Sequence, residues 1–330
     1  MRALRFYQPD ETTPLTLEEL PRPVPAAREL LLRILTCGVC HTDLHLVEGE
    51  LPNPKEPVIP GHQVVGVVEQ MGEGVSRFQV GARVGVFWLY SACGVCEYCR
   101  RGLENLCDSA LFTGYTADGG YAEFITVPED FAVPIPDSYL DVEAAPLLCA
   151  GIVGYRSLRL SDLQPGERLG LYGFGASAHI CIQVARYWDC EVYVFTRSEE
   201  NQALAREYGV KWVGDSHDES PAKLDRAIIF APAGWIVPLA LGHLRKGGTL
   251  CINAIHMSPI PEMPYNLLWH ERTIRSVANV TRRDAEEFLP LAAQIPIHTT
   301  TQVYDLAEAN SVLGKLKRGE IKGAAVLKIS

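Results

Sequence analysis

Leu169-Gly170-Leu171-Tyr172-Gly173-Phe174-Gly175-Ala176-Ser177-Ala178 is the stretch whose reading decides the fold. A short apolar run enters the pattern G-x-G-x-x-A, and helical periodicity follows over Ala176–Trp188. A strand, a glycine turn and a helix in that order form the dinucleotide fingerprint. Gly173 permits the tight turn, Gly175 lets a pyrophosphate approach the backbone, and Ala178 keeps helix and strand close. Ala176 and Ser177 open the helix, whose first N–H groups are available to phosphate oxygens.

Downstream the chain alternates between strand-like and helix-like segments. Glu191–Thr196 reads as a second strand, and Glu199–Tyr208 as a polar-faced helix ended by Gly209. Ala227–Phe230, the helix-like Ile236–Leu244 and the strand Thr249–Ala254 come next. Such alternation predicts parallel βαβ units with helices on both sheet faces. Upstream, the short apolar runs Leu30–Leu35, Val64–Val68 and Ala82–Phe87 are broken by Gly and Pro, which predicts a mostly β domain with long loops. The tail carries one helix-like stretch and the strand Ala324–Ile329. The expected division is residues 1–150 with 286–330 as a discontinuous first domain, and 151–285 as the dinucleotide-binding domain.

The second strand ends in Thr196-Arg197-Ser198, where the fingerprint usually has a carboxylate for the ribose 2′-OH. Thr196 removes the repulsion a carboxylate would exert on a 2′-phosphate, and Arg197 and Ser198 can donate to it. A charge-assisted hydrogen bond is worth roughly 1.5–3 kcal/mol, or about ten- to a hundredfold in preference. The expected cofactor is therefore NADP(H) over NAD(H).

The composition narrows the class. The 330 residues exceed a typical single core, and 47% hydrophobic with 21% charged residues is ordinary globular composition. A net charge of −10 argues against nucleic acid or anionic membrane as a partner. Met1-Arg2-Ala3-Leu4-Arg5 runs into Phe6-Tyr7-Gln8-Pro9-Asp10 without the apolar stretch of a secretory signal, and no run reaches the roughly 20 apolar residues of a membrane span. The expected location is the cytoplasm. In a reducing compartment, ten cysteines read first as metal ligands.

Cys93, Cys96, Cys99 and Cys107 follow C-x2-C-x2-C-x7-C, a spacing that wraps four thiolates around a tetrahedral Zn²⁺. Protein fills all four positions, so this metal would hold a loop. By itself the cluster says zinc rather than enzyme. Cys37-Gly38-Val39-Cys40-His41-Thr42-Asp43-Leu44-His45 packs further ligand types together, with Gly61-His62-Gln63 and Cys149 farther on. A Cys, a His and a Cys from three segments make a Cys₂His site whose fourth position is open to water or substrate. There zinc acts as a Lewis acid. Taken singly, Cys149 reads more readily as a small buried hydrophobe than as a ligand, and His62 as a turn histidine.

Together these residues closely resemble the zinc-dependent medium-chain alcohol dehydrogenase family over essentially the whole chain. The most specific parts are Cys37–His45, Gly61-His62 with Gly66, the four-cysteine lobe, Ala145–Gly151 and the glycine turn. The resemblance implies an α/β protein with a mostly β GroES-like catalytic domain and a doubly wound parallel-sheet Rossmann domain. It implies two zinc ions per chain, with Cys40 rather than Cys37 joining His62 and Cys149 around the catalytic one. Thr42 resembles the hydroxyl that contacts the alcohol, and His45 the outer end of a proton relay through the nicotinamide ribose. Asp43 resembles the carboxylate that orients the ligand histidine, and His41 a position that touches the pyrophosphate. The implied reaction is hydride transfer between a nicotinamide cofactor and a primary or aromatic alcohol or aldehyde, in a homodimer or homotetramer.

Three residues depart from the family pattern. Gln63 stands where Glu commonly follows the ligand histidine. Gly323-Ala324-Ala325 lacks a common Arg, with Lys322 nearby, and Thr196 replaces the acidic ribose contact. Trp88, Leu111 and Phe112 are expected to line the substrate pocket. The competing readings are a polyol or amino-alcohol dehydrogenase on the same scaffold, a zinc-independent quinone reductase and a non-catalytic zinc-stabilised binding protein. Retention of Cys40, Thr42, His62 and Cys149 argues against the last two.

Overall fold

The computed structural model describes residues 1–10, 12–52 and 54–330. It resolves into two compact units, Met1–Ile152 with Asn279–Ser330, and Val153–Ala278.

The Val153–Ala278 unit is built on a six-stranded sheet in which every neighbouring pair is parallel. Across the sheet the strands run Trp212–Gly214, Glu191–Phe195, Arg168–Tyr172, Leu224–Ile229, Leu244–Ile252 and Thr273–Ser276. Numbered by appearance this is 3-2-1-4-5-6, the doubly wound dinucleotide-binding order. Leu169–Tyr172 and Val192–Phe195 are buried at every position, as strands covered on both faces must be. The helix Ile236–His243 lays Ile236, Val237, Ala240 and Leu241 against Tyr172, Phe195 and Ile229. Each such fully buried side chain contributes about 1.5–3 kcal/mol.

The strand Leu224–Ile229 begins three residues before the expected Ala227, its first half holding the charged pair Asp225 and Arg226, which gives no apolar strand signal. Those charges are satisfied where they sit. Asp225 accepts the Arg168 N–H at 2.7 Å and pairs with Arg245 at 2.6 Å, and Arg226 pairs with Glu167 at 3.0 Å. Order reverses between Arg168–Tyr172 and Leu224–Ile229, and the glycine turn leaves the sheet at that switch point.

The other unit is mostly β. Its seven-stranded sheet centres on Glu29–Val39, long enough for two strands to share one edge. Phe124–Pro128 pairs with its first half and Ala324–Lys328 with its second, while Gln63–Met71 covers the opposite edge. Leu30, Leu31 and Leu32 are all fully buried, so both faces of this strand are covered.

The compact units divide at 278/279, a little ahead of the expected 285/286. The helix Arg282–Gln294 runs through the expected seam, and its start is locked within the first unit. Asp284 is fully buried and accepts from the Thr281 N–H at 2.8 Å and hydroxyl at 2.6 Å. Phe288 packs so closely on Gly151 that a Cβ there would fall 2.4 Å from its ring. The first crossing lies at 152/153, inside the helix Ala150–Leu160, rather than at 150/151. The tail also holds more than the expected single helical stretch. Besides Arg282–Gln294 it has the strand Thr301–Asp305 and the helix Ala309–Lys317, which buries Ala309, Val312 and Leu313 at helical spacing. No helix among the described residues is long and apolar enough to cross a membrane.

Asp284→Ala strips two Thr281 donors of their shared acceptor in a buried setting and is expected to cost about 2 kcal/mol, seen as a thermal midpoint lowered by roughly 4–8 °C. An unchanged midpoint would mean that this cap does not hold the helix.

Candidate active site

Cys40 ends the central strand and caps the helix His41–Val47, so its side chain stands where strand turns into helix. Asp43, one turn on and only 2% exposed, directs both carboxylate oxygens into the surrounding backbone. Oδ2 accepts the Cys40 N–H at 2.8 Å, and Oδ1 accepts the Gly61 N–H at 3.2 Å and lies 3.3 Å from His62 Nδ1. One buried carboxylate thereby sets the spacing between Cys40 and His62.

The segment carrying His62 is pinned from the other side. Gly61 has φ +93°, and a Cβ there would sit 2.4 Å from the Tyr121 ring. Gly120 and Tyr121 donate their N–H groups to Gly61 and Pro60 at 2.8 and 2.9 Å. Burial, then Asp43, pushes the Tyr121 phenol well above its ordinary range, so it stays neutral. Cys149 arrives from the 3₁₀ turn Ala145–Leu148.

The ligand atoms of Cys40, His62 and Cys149 lie within 4.8 Å of one another. The two sulfurs are 3.9 Å apart, and Thr42 Oγ1 lies 3.7 Å from the Cys40 sulfur. His62 is 1% exposed, and its Nε2 has no hydrogen-bond partner among the described residues. A buried ring nitrogen without a partner costs free energy unless something supplies one. Facing two thiols, it matches the donor set of a Cys₂His zinc site. The Cys149 thiol, helped by His62 and opposed by burial, holds Cys40 well below the usual thiol range, while Cys149 is driven well above it. The pair thus shares one proton, which a bound cation would displace. Burial disfavours charge on His62, yet Asp43 and Cys40 outweigh it and raise the imidazole to about 10.

Cys37 is buried outside this group, against the same Gly61 and Gly120 backbone that Tyr121 covers. Gln63 is buried too, with its side chain over Gly38 on the paired strand. His41 is exposed at the start of the helix. His45, one turn past Thr42, has Nδ1 2.5 Å from Glu50 Oε2.

Trp88 meets His62 edge to face at 5.0 Å, and Phe112 and Tyr115 stack on it at 5.4 and 5.9 Å. The structure thus brings Trp88 and Phe112 to the His62 side, whereas Leu111 is 41% exposed. Sequence reading missed Tyr115, Tyr121 and Glu50. Only the Gly119-Gly120-Tyr121 run offered a local signal, a glycine pair ahead of an aromatic residue.

The four-cysteine lobe also closes locally. The sulfurs of Cys93, Cys96, Cys99 and Cys107 lie within 4.8 Å of one another. Backbone N–H groups point at them, from Cys96 to Cys93 at 3.3 Å and from Cys99 to Cys96 at 3.4 Å. N–H groups from Val95 and Cys96 hold Cys93 down at about 6, while burial lifts Cys99 to about 12. Glu104, buried just before Cys107, pairs with Arg282 at 2.9 Å and ties the lobe to the helix Arg282–Gln294.

In the other unit Gly173 has φ +88°, and a Cβ there would meet the Ala231 backbone at 3.0 Å. Gly175 differs, because a Cβ on it would meet no protein atom within 4 Å. It caps the helix Ala176–Tyr187, and Ala178 is fully buried against the sheet. Thr196 is 7% exposed at the end of its strand. Arg197 is exposed and makes no ion pair among the described residues. Ser198 caps the helix Glu199–Glu207 by accepting the Asn201 N–H at 3.3 Å, which leaves its hydroxyl proton available.

Residues 26–137 match the family described as "Alcohol dehydrogenase GroES-like domain", and residues 178–294 match "Zinc-binding dehydrogenase". A probable alcohol dehydrogenase, AdhA, of Mycobacterium tuberculosis is 51% identical over 97% of this chain and 94% of its own length. Among solved structures, a cinnamyl alcohol dehydrogenase of Sorghum bicolor superposes with a TM-score of 0.91 at 27% identity, covering 99% of this chain and 97% of that one. A Helicobacter pylori protein titled CAD, in complex with NADP(H), superposes with a TM-score of 0.88 at 25% identity, again over 99% and 97%.

In metal-free protein at pH 7, iodoacetamide is expected to label Cys93 well before the buried Cys37 and Cys181, whose thiols burial pushes up. The thiolate exists above about 6, so labelling slows as pH falls through that value. Peptide mass spectrometry reads the order, and equal labelling of all three would contradict the assigned environments.

Proposed function

The chain belongs to the zinc-dependent medium-chain alcohol dehydrogenase family, and we propose that it interconverts primary or aromatic alcohols and their aldehydes with NADP(H) preferred over NAD(H). The observation that carries this reading is the convergence of Cys40, His62 and Cys149, with the Thr42 hydroxyl beside them and His62 Nε2 buried without a partner.

In this proposal Cys40, His62 and Cys149 hold one zinc, and Cys93, Cys96, Cys99 and Cys107 hold a second. When bound, the first supplies a Lewis acid at an open coordination position, and the nicotinamide supplies the two-electron partner. The chain's own residues do the remainder. Asp43 fixes the imidazole of His62 through Nδ1. Thr42 holds the substrate hydroxyl and passes its proton outward, and His45 receives that proton at the outer end. Trp88, Phe112 and Tyr115 form an apolar aromatic wall beside His62, which suits an aromatic or short aliphatic substituent better than a polyol. Two of the relatives carry cinnamyl alcohol dehydrogenase or CAD names, in keeping with that preference.

Gly173, Gly175 and the first turn Ala176, Ser177 and Ala178 would take the pyrophosphate. Thr196, Arg197 and Ser198 would take the ribose 2′-phosphate. The unpaired Arg197 guanidinium supports this reading, as does the NADP(H) bound to the Helicobacter pylori relative. Its nearest chain-neighbour carboxylates, Glu199 and Glu200, lie in the first turn of the helix beyond rather than at the strand end. The proposed assembly is a homodimer or homotetramer, and a monomeric mass by light scattering would remove it.

Initial rates of benzaldehyde reduction decide the cofactor. NADPH is expected to give the higher kcat/KM, and Arg197→Ala to lower it about ten- to a hundredfold while NADH turnover stays nearly constant. Equal loss with both cofactors would refute the assignment of Arg197. Metal analysis is expected to find two zinc ions per chain, with Cys149→Ala retaining one and losing activity. Strong activity in zinc-free protein would overturn the metal role.

A further inference from the structure

Beneath the dinucleotide turn three aromatic rings pack together. Phe174, the residue between Gly173 and Gly175, is 3% exposed, so its ring points into the protein. The His179 ring, one turn into the helix Ala176–Tyr187, meets it edge to face at 4.5 Å. Tyr208, which ends the helix Glu199–Glu207, lies 5.8 Å from His179 and 6.2 Å from Phe174. Its backbone is held in turn by Arg186, whose guanidinium donates to the Tyr208 carbonyl at 2.6 Å.

The two ring nitrogens of His179 differ. Nε2 is buried and has no hydrogen-bond partner among the described residues. The ring also hydrogen-bonds the Phe174 backbone, and that bond falls to Nδ1, which donates to the carbonyl. Burial lowers the imidazole from its ordinary value and outweighs this bond, so the ring is neutral at pH 7 with its hydrogen on Nδ1. A trans peptide points its C=O and N–H in opposite directions. With the Phe174 carbonyl held toward His179, the Gly175 N–H points away from the three rings. No described residue accepts that N–H, and a Cβ on Gly175 would meet no protein atom within 4 Å.

We propose that His179 is a positioning residue for the dinucleotide: by holding the Phe174 carbonyl from beneath, it fixes the next peptide with the Gly175 N–H turned outward to the pyrophosphate. That the turn takes the pyrophosphate rests on the function proposed above; the hold of His179 on the peptide does not. A donor aimed in advance loses little freedom when the anion arrives, whereas a peptide free to rotate turns its carbonyl to the phosphate part of the time and repels it. Glycine makes the hold necessary, because a residue without a Cβ leaves its own backbone free to rotate. His179 acts through the peptide, so its effect falls on cofactor binding and not on the chemical step.

His179→Phe keeps a ring and removes the donor, while His179→Asn keeps an N–H close to the place of Nδ1. Both are made in the full zinc-loaded chain, and NADPH affinity is read without substrate from the fluorescence of the bound nicotinamide. His179→Phe is expected to raise Kd about tenfold, and His179→Asn only about two- to threefold. NADH, which has the same pyrophosphate, is expected to lose by the same factor. KM for the cofactor rises in step, while kcat for benzaldehyde reduction does not fall. Adenosine 2′-monophosphate, which has no pyrophosphate, is expected to bind parent and variants alike in calorimetry. An unchanged Kd for both cofactors in His179→Phe, or an equal loss for the adenosine probe, overturns the proposal. A parent that binds a cofactor without reducing benzaldehyde refutes the substrate proposed above instead, and the titrations still decide the role of His179.

Discussion

The buried carboxylate of Asp43 is the interaction around which this molecule's chemistry is organised. Removing a carboxylate from water costs several kcal/mol unless charged and hydrogen-bonding partners offset it. Asp43 has the Cys40 and Gly61 N–H groups and the His62 ring. Those partners come from a helix start and a distant turn, so satisfying the charge requires that the two segments meet. The same contacts space the sulfur of Cys40 from the ring of His62. Gly61, in the left-handed region beneath Tyr121, permits a backbone path that a residue with a Cβ would block.

Each end of the helix His41–Val47 has a separate task. Its start supplies Cys40, Thr42 and Asp43, and its end supplies His45 with Glu50 folded back by the Gly49 turn. The stretch from Cys40 to His45 therefore carries one of the clustered thiols, the adjacent Thr42 hydroxyl and the His45 imidazole. Anchoring follows the same logic in the cysteine lobe, where Glu104 reaches Arg282 on a helix far along the chain. Backbone N–H groups aimed at sulfur favour thiolates there.

How much could be read in advance depended on how local each signal was. The glycine turn was legible because strand, turn and helix are contiguous and each glycine answers a backbone requirement within a few residues. Cys93, Cys96, Cys99 and Cys107 were legible as a group for the same reason, since cysteines two residues apart close on one another within a single loop. The trio of Cys40, His62 and Cys149 was not, because nothing in the spacing of three distant segments says that they converge. The division of the compact units at 278/279 follows from contacts such as that of Phe288 with Gly151, which is tertiary and leaves no mark in a helix start of ordinary appearance.

Glu50, Tyr115 and Tyr121 mark the same limit at single residues. Each works through a partner brought near by a turn or a pairing strand, and a lone Glu or Tyr in a loop carries no periodicity. By itself the sequence determined the α/β class, the dinucleotide turn and the four-thiol lobe, because those follow from backbone conformation and ligand spacing over short stretches. Residue spacing left open which cysteine stands beside His62 and which carboxylate reaches its ring, points that only the family resemblance addressed. Tertiary structure alone added Tyr115 to the aromatic wall and Glu50 beside His45. These are distances between side chains, set by packing and by the need to satisfy a buried charge.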